Sequence, residues 1–285
     1  MLLLKFLIKE IESLEVNSVN IKRILTGVIG FPIVACALVF GNKYIIDILF
    51  AVIAALSLYE YNNALKLKAK PVLWIGYIAC ALIGVIHVIP MQYLVPIIGA
   101  LIPITILILF LHVIISNMKI NIKDIALTFF GICYIVIFLL FIPVLMGGEN
   151  GKKMVWFIVF AAWGTDTFAY IIGKSFGKHK FSEISPKKSI EGCIGGIMGA
   201  LLLIVPYSII LNNFYGMSIN YVYITFVGIL LSIIGQIGDF SASTIKRYVK
   251  IKDFGNLLPG HGGMLDRIDS IIFIAPFAYF LLMFI

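Results

Sequence analysis

Long apolar runs alternate with short polar breaks along this chain, and the runs are too long and too uniform for the core of a soluble domain. A membrane-crossing helix needs about 20 consecutive, mostly apolar residues. On that basis the pattern predicts helices near residues 24–41, 44–60, 72–89, 93–115, 122–147, 153–174, 190–212, 219–240 and 268–285. Tight breaks fall at 41–44 and 89–93, where Pro90 supports a helix boundary. Longer polar connections remain at 61–71, 174–189 and 241–267. Ahead of the first run, Leu3, Leu4, Leu7, Ile8, Ile11 and Leu14 recur at helical spacing, with Lys5, Lys9, Glu10 and Glu12 between them. That is the pattern of an amphipathic helix lying on a membrane surface, with a partly disordered terminus as the competing reading. The short apolar run Met1–Leu4 is not followed by a small-residue cleavage site, so a cleaved signal is not expected.

Composition agrees. The 285 residues are 61% hydrophobic and 13% charged, and the mean hydropathy is +1.08. The expected fold is therefore all-α: a polytopic integral membrane protein of about nine transmembrane helices. Residues 1–23 form an N-terminal interfacial segment and 24–285 a single membrane domain. The four cysteines (Cys36, Cys80, Cys133, Cys193) are scattered singly, without metal-ligand spacing, and are expected as small buried hydrophobes. His87 and His112 lie in apolar runs and read as core residues; His179 sits among lysines and reads as solvated.

Charge orients the chain. If the nine runs cross in turn, only Lys43, Lys152 and Lys153 of the 22 lysines and arginines fall on one side. That bias puts the N-terminus and both long basic loops in the cytoplasm and the C-terminus outside. The net charge of +8 is then a one-sided field facing the anionic leaflet and anionic solutes, not a nucleic-acid footprint.

The chemistry concentrates in 160–270. Asp166, Glu191, Asp239, Asp266 and Asp269 all fall near the basic ends of predicted spans, and one polar pocket would account for them. Between Asp239 and Asp269 stand four acidic and five basic side chains, a histidine and four glycines. If the eighth helix continues past Asp239, then Asp239, Ser243, Lys246 and Lys250 form one polar stripe. Leu258-Pro259-Gly260-His261-Gly262-Gly263 cannot be regular helix, and its glycines allow positive φ and close approach to a ligand. The helix beyond would turn its free N–H groups toward that loop as an anion site, with Asp266, Asp269 and Ser270 on one side. Asp239 and Asp266 in one low-dielectric pocket would repel, and a divalent cation removes the conflict. Oxygen-only ligands point to Mg²⁺ rather than Zn²⁺. The competing arrangement pairs each Asp with a nearby Lys or Arg. In the second loop, Lys174, Lys178, Lys180, Lys187 and Lys188 could hold phosphates as point charges, and Ser189 could cap a helix that turns Glu191 into the pocket.

Ser243-Thr244-Ile245-Lys246-Arg247, Lys252-Asp253, Pro259-Gly260-His261-Gly262-Gly263, Asp266-Arg267 and Asp269 together resemble the signature of the phosphatidate cytidylyltransferases, also called CDP-diacylglycerol synthases. Asp166-Thr167 with Ala169-Tyr170, and Ser185-Pro186-Lys187-Lys188-Ser189 with Glu191-Gly192, are also similar to that family. The N-terminal half carries only the weak echo Lys22-Arg23 followed by Thr26. The resemblance implies an integral membrane enzyme that transfers CMP from CTP to phosphatidate, releasing pyrophosphate, with Mg²⁺ and a monovalent cation such as K⁺. It matches Asp239 and Asp266 to the metal positions, and allows a homodimer in a bacterial inner membrane. Lys246, Arg247, Lys252 and Arg267 would hold phosphates, with the Gly260–Gly263 backbone approaching them. Asp166, Lys187, Lys188, Ser189, Glu191, Ser243, His261 and Asp269 complete the expected substrate site. The residues agree, because an ionised lipid phosphate needs no Ser–His or Cys–His nucleophile, and none is visible.

Three other functions compete. A CTP-dependent lipid kinase would carry the γ-phosphate, not the cytidine, into lipid. An anion transporter would show paired halves with broken helices, whereas charge here is concentrated in the last third. A CDP-alcohol phosphotransferase would carry a D-G-x-x-A-R core, which is absent.

Overall fold

The computed structural model describes residues 34–285 apart from 67, 183–184, 186–187 and 258–261. The surface helix expected over 1–23 lies outside the described residues, as do Lys187, Gly260 and His261. Among the described residues the protein is helical, with no named strand. Its helices are α1 (Lys43–Leu65), α2 (Leu73–Ile83), α3 (Met91–Ile115), α4 (Ile122–Gly131), α5 (Phe138–Met146), α6 (Gly151–Phe176), α7 (Ile190–Tyr215), α8 (Tyr221–Val249) and α9 (Leu265–Leu282). Residues 34–40 are also helical. Asn42, Asn121, Ser189 and Asn220 cap α1, α4, α7 and α8 through their side chains. A π-helical stretch, Ile132–Ile137, carries α4 into α5.

Six helices among the described residues are long and apolar enough to cross a membrane: Lys43–Leu65, Gln92–Ile115, Ile122–Met146, Gly151–Phe176, Ile190–Tyr215 and Tyr221–Val249. The run at 72–89 is not one span-length helix. α2 has 11 residues, about 16 Å of helix against a hydrocarbon core of about 30 Å. It ends at Gly84, and a 3₁₀ turn over Ile86–Val88 follows. Buried Asp47 on α1 holds that turn, accepting His87 N–H at 3.1 Å and meeting His87 Nδ1 at 2.6 Å. α1 continues past residue 60 because Tyr61, Ala64 and Leu65 are buried. α8 runs well beyond 240 and α9 begins at Leu265, so the expected loop over 241–267 contracts to 250–264. Of the cysteines only Cys80 is buried, and Cys36 is exposed. Outward faces of membrane helices meet lipid, so an apolar side chain there need not be buried in protein.

The ends of α1, α6 and α8 gather with the starts of α4, α7 and α9. Lys70 N–H donates to Asp124 Oδ1 at 2.8 Å, and Met264 N–H to Glu60 Oε1 at 2.9 Å. At the opposite end Tyr207 donates to the Lys153 carbonyl and Tyr223 to the Leu281 carbonyl.

The tightest packing joins α6 to α7. A β-carbon on Gly199 would stand 2.5 Å from the Gly164 carbonyl oxygen, and one on Gly164 would stand 2.9 Å from Ala200 Cα. Gly192, Gly195 and Gly196 leave no more room against Ala169, Ile172 and Thr165. Lipid gives apolar faces no hydrophobic reason to associate, so close backbone approach through small residues supplies the attraction. Gly199→Val is expected to destabilise the protein by roughly 1–3 kcal/mol through overpacking. Gly99 on α3 faces open space, and Gly99→Ala should stabilise its helix by up to about 1 kcal/mol. Thermal unfolding in one detergent, followed by tryptophan fluorescence, should give shifts of opposite sign.

Candidate active site

At this gathered end a cavity of about 670 Å³ opens between α6, α7, α8 and α9. α6 contributes Asp166, Tyr170 and Lys174; α8 contributes Gln236 and Asp239; α9 contributes Asp266, Arg267 and Asp269. Lys188 and Ser189 enter from the connection before α7. Helix-to-helix hydrogen bonds hold the inner part. Thr165 on α6 and Ser232 on α8 share a buried bond of 2.7 Å, and Gln236 Nε2 donates to the Cys193 carbonyl at 3.1 Å. A β-carbon on Gly238 would lie 2.6 Å from the Asp269 carbonyl oxygen. The backbones of α8 and α9 therefore touch at the level of Asp239 and Asp269, while Asp266 lies one turn nearer the loop.

Asp266 is the most completely bonded group. Its Oδ1 accepts from Lys246 Nζ at 2.7 Å, and its Oδ2 accepts the N–H groups of Phe254 at 2.8 Å and Gly263 at 3.1 Å. It is 8% exposed. Asp239 pairs with Lys188, whose ammonium also lies 4.4 Å from the centre of the Phe240 ring. The Asp–Lys pairing weighed against a shared cation is thus what the protein-only site contains. Both aspartates nevertheless face one cavity, where four carboxylates meet three cations, Lys174, Lys188 and Arg267.

Other expected residues divide clearly. Ser189 caps α7 by accepting Gly192 N–H at 3.1 Å. Gly262 adopts φ 82°, the left-handed conformation that suits glycine. Glu191 turns away from the cavity: His179 Nδ1 lies 2.6 Å from its Oε1, so His179 is engaged although largely exposed. Lys246 is spent on Asp266 and does not line the cavity, and neither do Ser243, Arg247 or Lys252. Arg247 and Lys252 are exposed, and Lys250 ends α8 in a left-handed turn. At the start of α9 the N–H groups of Gly263, Met264 and Leu265 are taken up by carboxylates of the protein itself. Glu60 accepts from Met264 and Leu265, and Asp266 accepts from Gly263.

Glu60 is the residue the sequence reading missed, although the signal was present. A carboxylate inside an apolar span is a functional candidate by default, and Glu60 shares the predicted span 44–60 with Asp47.

The two Lys–Asp pairs differ in burial. Side-chain exposure is 14% and 3% for Lys246 and Asp266, but 27% and 26% for Lys188 and Asp239. Lys246→Met should therefore cost roughly 3 kcal/mol of stability by stranding a buried carboxylate. Lys188→Met should cost about 1 kcal/mol or less. Paired thermal melts check this, and equal shifts would contradict the burial argument.

The model of the cytidylyltransferase family matches residues 21–285. A phosphatidate cytidylyltransferase of Bacillus subtilis is 35% identical over 273 residues, covering 92% of this chain and 97% of the relative. Enzymes of the same name from Staphylococcus haemolyticus and Staphylococcus aureus are 38% and 37% identical, covering 61% and 60% of this chain and 65% and 64% of the relatives. The carboxylates of Asp166, Asp239, Asp266 and Asp269 lie within the matched region, and on that match this chain belongs to the cytidylyltransferase family.

Proposed function

We propose that this protein transfers CMP from CTP to phosphatidate, forming CDP-diacylglycerol and pyrophosphate in a bacterial inner membrane. The observation that carries this reading is the cavity in which carboxylates and cations from α6, α8, α9 and the connection before α7 converge, with an apolar groove beside it. The groove, of about 450 Å³, is lined by Ile197, Ile233, Ile237 and Phe240, and it shares Cys193 and Gln236 with the polar cavity. A lipid phosphate needs both surroundings: charge for the headgroup and hydrocarbon for the chains.

An oxygen of the phosphatidate phosphate attacks the α-phosphorus of CTP. The new phosphorus–oxygen bond forms as the bond to the β-phosphate oxygen breaks, and pyrophosphate leaves with that electron pair. The obstacle is mutual repulsion of two anions, so catalysis consists of positioning and charge compensation. Mg²⁺ would be held by Asp239 and Asp266, where it would neutralise charge on the α-phosphate and the leaving group. The donor set suits it. No group of three His, Cys, Asp or Glu side chains among the described residues could hold a metal unaided, and Mg²⁺ characteristically takes one or two carboxylates and completes its shell with phosphate and water. K⁺ as a second cation would draw on the same carboxylates. Lys174, Lys188 and Arg267 are the cations on the cavity wall that would meet phosphate, and Asp166 and Asp269 balance them. Lys246 fixes Asp266 rather than touching substrate.

For topology we propose nine crossings. The short α2 with its 3₁₀ turn, the charged-ended α9 and the helix entering at 34–40 join the six longer spans, with the N-terminus and the cavity facing the cytoplasm. This keeps Lys43, Lys152 and Lys153 alone on the outer side.

The test is incubation of purified protein with phosphatidate, Mg²⁺ and CTP labelled in the cytidine or in the γ-phosphate. Cytidine label should enter the lipid phase and γ-label should not; the reverse would mark a lipid kinase. Asp239→Asn should lower turnover by roughly a hundredfold or more with a melting temperature near that of the wild type. Activity above about one hundredth of wild type would remove Asp239 from its assigned role.

A further inference from the structure

Helix α9 carries Asp266, Arg267 and Asp269 into the cavity, yet it has no cap of its own. Met264, at the cap position, makes no side-chain hydrogen bond to the first turn. The cap comes from the far end of the sequence. Glu60 on α1 accepts Met264 N–H through Oε1 and Leu265 N–H through Oε2, each at 2.9 Å. The carboxylate is 5% exposed and does not line the cavity. Two glycines close on it: a β-carbon on Gly255 would lie 2.7 Å from Oε1, and one on Gly263 would lie 2.4 Å from Oε2. Gly255 and Gly263 therefore both pack against this one side chain.

We propose that Glu60 is a positioning residue for catalysis: its two-oxygen clasp on the start of α9 sets where Asp266, Arg267 and Asp269 stand in the cavity. A carboxylate is the group this place requires. It offers two acceptors to two N–H donors that point the same way, and its charge meets the positive end of the helix. A glutamine has one acceptor, and its amide would set a donor against the second N–H. Asp266 lies one residue past Leu265, so a slip of the clasp is transmitted directly to the site. Displacement of reacting groups by about 1 Å can cost about a hundredfold in rate. The proposal rests on the cytidylyltransferase reading for its kinetic consequence only.

Glu60→Gln tests it, with two readouts on the full-length protein in detergent. Hydrogen–deuterium exchange at Met264 and Leu265 should quicken, and unchanged exchange overturns the clasp whether or not the wild type labels lipid. In the CTP–phosphatidate assay, normalised to folded protein, kcat should fall by about tenfold to a hundredfold while KM for CTP moves less than about threefold. A lower melting temperature with kcat per folded molecule within about twofold of wild type would show a merely structural role and overturn the proposal. Gly255→Ala gives a second route that leaves the carboxylate intact. The added methyl crowds Oε1, so the same kcat loss is expected, and full activity in this variant also overturns the assignment. A wild type that transfers no cytidine refutes the function proposed above and leaves the exchange result to decide the clasp.

Discussion

A carboxylate removed from water is tolerable only when nearly all of its lone pairs meet donors, and the gathered end of this bundle is arranged around that constraint. The desolvation cost is several kcal/mol per ion, which neither apolar packing nor a single counter-ion offsets reliably. Asp266 answers it with one ammonium and two backbone N–H groups. Glu60 answers it with two backbone N–H groups and, among the described residues, no cation within ion-pair distance. Both acids draw donors from Gly263, Met264 and Leu265 at the head of α9, so satisfying them fixes the first turn of that helix. The charged residues of the cavity follow from this arrangement.

A second constraint acts from the other wall. α6 and α7 meet through glycines so closely that backbone faces backbone at Gly164 and Gly199. Ser189 then caps α7 where Gly173 and Gly177 of the neighbouring segment leave room for its hydroxyl. With one wall held by glycine contact and the other by carboxylate clasps, the space between them is a place for ions rather than side-chain packing. Phe181 extends this to the cavity's edge by stacking on Phe240 at 4.7 Å, beside the ring face that Lys188 covers. The connection before α7 is thereby attached to α8 by one stack and one ion pair.

Much of this was legible in the sequence, for a definite reason. Helical periodicity and the cost of charge at a membrane boundary are local rules, and they led to Asp166, Asp239, Asp266 and Asp269 as partners in one pocket. They also lead to Ser189 as a cap, to positive φ among the glycines of 260–263, which Gly262 adopts, and to a polar stripe of Asp239, Ser243, Lys246 and Lys250, of which Lys250 instead ends α8 in a left-handed turn. What was not legible depended on contacts between distant segments. Glu60 and Met264 are 204 residues apart, and nothing in either neighbourhood names the other. Helix position alone predicts Glu191 in the pocket, whereas its carboxylate pairs with His179 across the connection. Hydropathy predicts one long run over 72–89 because it does not register Asp47 reaching across to hold a turn at His87.

The ammonium groups in the site also bear on how it would work. Lys188 and Lys246 now sit where positive charge is needed most, against Asp239 and Asp266. Coulomb attraction inside a protein is several times stronger than in water, so aspartates without them would repel each other and resist assembling. A lysine is a compact cation on a flexible four-carbon stem, able to leave one oxygen for another without moving the backbone. The more exposed pair, Lys188 with Asp239, is the one that can exchange partners, and its ammonium already stands on the cavity wall. The buried pair, Lys246 with Asp266, cannot exchange as cheaply, because two backbone N–H groups would have to follow the carboxylate. The site thus divides into one aspartate free to trade counter-ions and one held fast by the fold.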